Sequence, residues 1–233
     1  MAWVLGIDTA STQLDIGLVC DGAAACSYSR FLAGSHAEHI SETVQFLLKS
    51  NRIEPQDIAD AGVTVGPGSF TGLRIGIAFI KGFFLTRQAR VLPVSSLEAV
   101  ARAWPAADGP FAVAFEARRG KTFCARFYRE NGTVRRISAD SLETPENLAG
   151  QLQPGEYVLI DALGYRASAL AQTLGKHARV HMLERQPVQR GLAAACMAWD
   201  AGENDGGWLT PAEVTPRYLQ ESWAEEKALK AAD

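Results

Sequence analysis

The stretch 66–85, GPGSFTGLRIGIAFIKGFFL, limits what this chain can fold into more than any other segment. Gly66, Pro67, Gly68 and Ser69 make a turn after the apolar run 61–65, and a helix is predicted to open near Thr71. At about 100° per residue, Leu73, Ile77, Ile80 and Phe84 fall on one face, and Gly72, Ile75, Gly76, Phe79 and Phe83 fall on a second. A helix on the outside of a domain needs one apolar stripe, so two stripes predict burial on all sides or sharing with another chain. Gly72 and Gly76 stand one turn apart on the second stripe, where each costs about 1 kcal/mol of helix propensity relative to Ala. The expected return is close approach of another backbone, which makes this stripe the expected association surface. His39 and Phe46, on the off-core face of the preceding helix, are expected to lie beside it.

Around this helix the pattern alternates. Residues 3–7, 14–19 and 23–31 read as a meander of strands, and a helix follows whose Ser35 and Glu38 have capping-box spacing. The run 61–65, the glycine-rich helix, a strand at 91–94 and a helix at 96–104 complete a βββαβαβα order. PAADGP at 105–110 is the expected boundary between a first lobe, 1–104, and a second, 105–233. The second half repeats the scheme, with strands at 111–115, 122–128 and 133–138, helices at 143–152, 163–174 and 188–199, and a strand at 157–160. Asn131-Gly132 is a hairpin signal, the stretch 203–207 reads as loop, and 215–219 as a short ordered segment before a charged end. Element order alone suggests an internal duplication.

A net charge of −3 gives no overall field for nucleic acid, and the apolar stretch at 75–85 contains Lys81 and is too short to span a bilayer. Four cysteines without C-x-x-C pairing, and a start without a charged leader, fit a cytoplasmic protein. Asp8 and Thr9 at the end of the first strand stand where phosphate loops begin in two-lobed kinases, but the following residues 10–13 offer no glycine for backbone approach to phosphate. Gly68 and Ser69 are a second candidate anion or nucleotide loop, at a helix N-terminus. The first loop reads more readily as a turn held by Asx and Ser/Thr hydrogen bonds, and the second reads equally as a tight turn. His36 and His39 share a helix without a third ligand at metal-site spacing, so no metal is expected. Arg118, Arg119 and Lys121, with Arg126 beyond, are a basic hairpin that can meet phosphate or simply face solvent.

GIDTAS, HAEHISETVQFLL, GPGSFTGLRIGIAFIKG, PVSSLEAVA, EARRGKTFCARF and PRYLQ, in that order, resemble the TsaB (YeaZ) family over nearly the whole chain. The resemblance implies a two-lobed α/β fold of the actin/Hsp70-like (ASKHA) class, each lobe a mixed sheet with flanking helices. It also implies a non-catalytic scaffold subunit. Such a subunit binds the catalytic paralogue TsaD, which, with the ATPase TsaE, transfers threonylcarbamoyl to the adenosine next to the anticodon of tRNAs reading codons that begin with A. A homodimer is implied when the partner is missing, with tRNA reached only through the complex. ATP, metal and threonylcarbamoyl-adenylate are expected on the partner subunits, so that this chain has no cofactor and no catalytic residue of its own. Where the catalytic paralogue carries two histidines four apart, this chain has Ser96 and Val100. These cannot replace imidazole as metal ligands. Glu116 and Phe123 depart from the Asp and Tyr usual in the family. The competing expectations are an independent ATP-binding kinase or ATPase of the same superfamily and a metallopeptidase-like protein.

Overall fold

The computed structural model describes residues 1–233 except 33, 106, 154–155, 162–166, 184–187, 203–206 and 221–233. Most of the expected 203–207 loop, the first residues of the expected 163–174 helix and nearly all of the charged end lie outside the described residues.

Two sheets organise the chain. The first uses β1 (Trp3–Asp8), β2 (Gln13–Cys20), β3 (Ala23–Phe31), β4 (Ile58–Gly66) and β5 (Arg90–Ser95), in the order β3-β2-β1-β4-β5. The β1–β2–β3 meander is antiparallel, and β4 and β5 are added parallel to β1 through α1 (His36–Ser50) and α2 (Phe70–Phe83). After α3 (Ser96–Ala103) the second sheet repeats this order: β6 (Gly109–Glu116), β7 (Thr122–Glu130) and β8 (Thr133–Arg136) form a meander. β10 (Tyr157–Asp161) and β11 (Arg179–Met182) then join β6 in parallel. The sheet order β8-β7-β6-β10-β11 matches the first lobe strand for strand, so the duplication inferred from element order is real at the level of topology. The short β9 (Ser141–Glu143), paired with β7, and β11 escaped the periodicity reading because each has only three or four residues. α4 (Pro145–Gln151) and α5 (Ala167–Leu174) accompany the second sheet. No helix among the described residues is long and apolar enough to cross a membrane.

The lobe boundary needs a correction. α6 (Arg190–Ala201), expected in the second lobe, lies on the first sheet, contacting β1, β2 and β4. The reason is a row of glycines. Gly6, Gly17 and Gly62 stand side by side in register across β2, β1 and β4, and a Cβ on any of them would overlap the α6 backbone at Gly191, Leu192 or Ala194. Alternation puts Leu5, Ile7, Leu14, Ile16, Ala61 and Val63 on the opposite face, where α1 and α2 form the main core. Leu209 also bridges to Val91 on the edge strand β5, so the chain beyond α6 returns to the first lobe. Gly6→Ala should therefore cost about 1–3 kcal/mol by overpacking a site with no room to give. Urea denaturation monitored by circular dichroism measures it, and a change within error would mean that α6 adjusts freely.

A second correction concerns α1. Its N-cap Ser35 makes no side-chain hydrogen bond, so the expected capping box does not form. By contrast Ser69 caps α2, its Oγ accepting from the Gly72 amide at 3.2 Å.

Candidate functional site

The polar alternation in β1, β2 and β4 does not face water. Asp8, Asp15 and Thr64 share the sheet face with the glycine row and are sealed beneath α6, all fully buried. The Thr64 hydroxyl donates to Asp8 Oδ1 at 2.6 Å. Asp15 Oδ1 accepts from the Gly191 amide at 2.7 Å, and its Oδ2 accepts from Gln13 Nε2 at 2.9 Å and from Ser29 Oγ. Arg190, the first residue of α6, extends between the lobes: it is hydrogen-bonded to Asp161 at the end of β10, and its Nη1 lies 3.8 Å from Asp8 Oδ2. Burial disfavours the guanidinium charge, yet Asp161 and Asp8 hold its pKa above the usual arginine value. Burial likewise pushes the Asp8 carboxyl up, against the opposing pull of Arg190 and Thr64. Asp161 is therefore the firm partner and Asp8 the looser one, beyond hydrogen-bond range.

Burial also raises the Asp15 carboxyl to about 6. The folded state then holds this proton more tightly than the unfolded chain, so this group's contribution to stability falls as pH rises from about 4 to 6. Asp15→Asn never ionises. Its penalty relative to wild type should be smaller near pH 7 than near pH 4, by up to about 3 kcal/mol. Urea titrations at the two pH values measure the difference, and an equal penalty at both would place the Asp15 pKa near its ordinary value.

Asp8 and Thr9 are thus not open to a phosphate. Thr9 is fully buried, and its hydroxyl donates to the Gly72 carbonyl at 2.8 Å. This bond also overturns the role expected of the helix glycines. A Cβ on Gly72 or Gly76 would collide with Thr9, so both accommodate the loop after β1 rather than a partner chain. The stripe divides along its length: the Thr9 loop covers its first turns, while Ile75, Phe79 and Phe83 remain half-buried beside α1. Phe79 and Phe83 stack with ring centroids 5.7 Å apart. Phe46 on α1 is 58% exposed and His39 is half-exposed. Ala78 and Gly82, one turn apart and both exposed, are the small residues that do face outward, and a Cβ on Gly82 would meet nothing within 4 Å. They carry no apolar bulk, which is why periodicity arithmetic passed over them.

Gly68 and Ser69 border a cavity of about 440 Å³ between the lobes. The basic hairpin is divided: Arg118 lines this cavity, whereas Arg126 is paired with the buried Glu156 at 2.9 Å. His36 donates from Nε2 to the Ser11 carbonyl at 2.7 Å, and among the described residues no three His, Cys, Asp or Glu side chains are grouped to hold a metal. Ser96 and Val100 are buried on α3.

Residues 30–196 match the family model described as TsaD, tRNA N6-adenosine threonylcarbamoyltransferase. The chain is 31% identical to a tRNA threonylcarbamoyladenosine biosynthesis protein TsaB of Bacillus subtilis, over 59% of this chain and 60% of that protein. It is 30% identical to the Escherichia coli protein of the same description, over 67% of this chain and 70% of the relative. The match thus spans less than two thirds of the first relative's length. YeaZ from Pseudomonas aeruginosa superposes with a TM-score of 0.78 at 22% identity, covering 94% of this chain and 100% of that one, which speaks to the fold. The duplicated topology is that of the actin/Hsp70-like class. With a family model matched over most of its length and this identity to two TsaB proteins, the chain belongs to the TsaB (YeaZ) family.

Proposed function

We propose that this chain is a non-catalytic partner subunit in tRNA threonylcarbamoyladenosine biosynthesis, docking a TsaD-like catalytic paralogue on the outer face of α1 and α2. The observation that carries this reading is apolar surface left on two neighbouring helices, the exposed Phe46 on α1 and the stacked, half-buried Phe79 and Phe83 on α2, with the exposed Ala78 and Gly82 adding no bulk that would keep a partner helix away. Aromatic anchors around small residues let two helices from each chain pack closely. The same face serves a homodimer when the partner is absent. Asp8 and Thr9 are engaged in internal bonds, which favours a scaffold over an independent ATP-dependent enzyme. ATP, metal and the activated threonylcarbamoyl group reside on the partner subunits, a TsaE-like ATPase joins the pair, and tRNA is met through the complex.

Co-purification with the catalytic paralogue, followed by tRNA modification assays with and without this chain, tests the reading. Stable association and modification that depends on this chain are expected. Full-rate modification in its absence would remove the subunit role.

A further inference from the structure

We propose that the cavity between the lobes is a binding site for a small molecule carrying an oxyanion, phosphate ester or carboxylate, on a body that bears hydroxyl or amino donors. The cavity draws walls from the loop after β1, the turn before α2, the end of β6 and the segment 217–220. Two helices, α1 and α2, begin on it, with His36 and Phe70 as their first residues. The amides of Phe70 and Thr71 have no intrahelical acceptor, and both helix dipoles present their positive ends. Arg118, from beyond β6, and Arg217, from the C-terminal segment, line the same space, and neither guanidinium has a partner among the described residues. Four cationic or donor features from four parts of the chain converge on one volume.

Two further groups define the rest of the ligand. His36 is only 4% exposed, lines the cavity, and leaves Nδ1 without a partner among the described residues. Its Nε2 must carry the proton donated to the Ser11 carbonyl, and in the tautomer which that bond selects Nδ1 is an acceptor. Glu116, which ends β6 as Asp8 ends β1, lines the cavity with Oε2 equally unpartnered. Both orphans therefore ask for a hydrogen donor. Bare phosphate supplies the anion but no body, and a neutral nucleoside supplies donors but no anion. Leu73 and Phe115 give apolar wall, and Tyr218 closes one side, its ring stacked on Phe70 at 4.5 Å and its hydroxyl accepting from Arg74 Nε at 2.9 Å. The volume lies in the range usual for small-ligand pockets.

This site belongs to the chain alone and is independent of the partner-subunit reading. Amide NMR titration of the isolated full chain with AMP, ribose 5-phosphate and L-serine, against adenosine and inorganic phosphate, tests it. Saturable shifts at the Gly68, Ser69 and Thr71 amides are expected with at least one of the first three. A response to the two phosphate esters identifies a phosphate source, and a response to L-serine alone identifies a carboxylate. Arg118→Glu with Arg217→Glu, both exposed and so compatible with folding, should weaken that binding at least about tenfold. An unchanged melting temperature of the double variant secures the comparison. Three results would each overturn the proposal: no saturable shift at those amides at millimolar ligand, equal binding by the double variant, or adenosine or inorganic phosphate binding as well as every test ligand.

Discussion

Phe79→Asp is expected to leave a folded chain that loses the proposed association with a TsaD-like partner and with a second copy. The fold survives because Leu73, Ile77, Ile80 and Phe84, all buried, still hold α2 to the first sheet. Association should fail because a carboxylate placed beside Phe83, on the helix that packs against α1, must be desolvated at the interface without a counter-charge. Losing an aromatic anchor at the centre of an interface commonly weakens binding by about 30-fold or more, and adding the charge should carry the loss past about 100-fold. Gly82→Arg tests the same face by bulk, since a side chain there meets open space in the free chain. Sedimentation and pull-down with the catalytic paralogue read both variants. Wild-type assembly of either folded variant would move the interface elsewhere. Gly76→Arg is not an equivalent test, because its side chain would strike Thr9 within its own fold and destabilise the free chain.

The second large effect is on stability. Arg190→Met keeps much of the side-chain volume but leaves Asp161 and Asp8 buried without a cation. Breaking a buried pair from one side costs about 3–5 kcal/mol, which for a domain of this size lowers the melting temperature on the order of 10 °C. The loss should come with a larger radius of gyration in solution scattering, since Arg190 is anchored on the first lobe through α6 and reaches Asp161 on the second. Adding Asp161→Leu to Arg190→Met removes one orphaned carboxylate and should recover part of the stability. A loss below about 1 kcal/mol for the single variant would mean that the carboxylates neutralise or rehydrate without cost.

Local pattern sufficed for the elements that repeat. The β1–β2–β3 meander, the Asn131-Gly132 hairpin and the core stripe of α2 follow from alternation, turn chemistry and the helical period, which act between residues close in the chain. The sequence order of elements also implied two similar lobes, and the two sheets have the same strand order. The residues carrying the family resemblance likewise lie in short contiguous stretches, so the family was legible before any fold was known. Which face of a residue meets which neighbour was not. Gly72 and Gly76 are sites of close approach, but what approaches is Thr9, more than sixty residues earlier, with its carbonyl at Gly72 and its side chain at Gly76. By position Asp8 is a loop end, yet Arg190 and Thr64 decide its role, and both arrive from distant elements. The glycines of β1, β2 and β4 acquire meaning only when register aligns them and α6 settles on the row. Period and propensity are properties of a segment; charge pairing, burial of polar groups and the shape of the inter-lobe cavity depend on contacts that exist only once the chain has closed on itself.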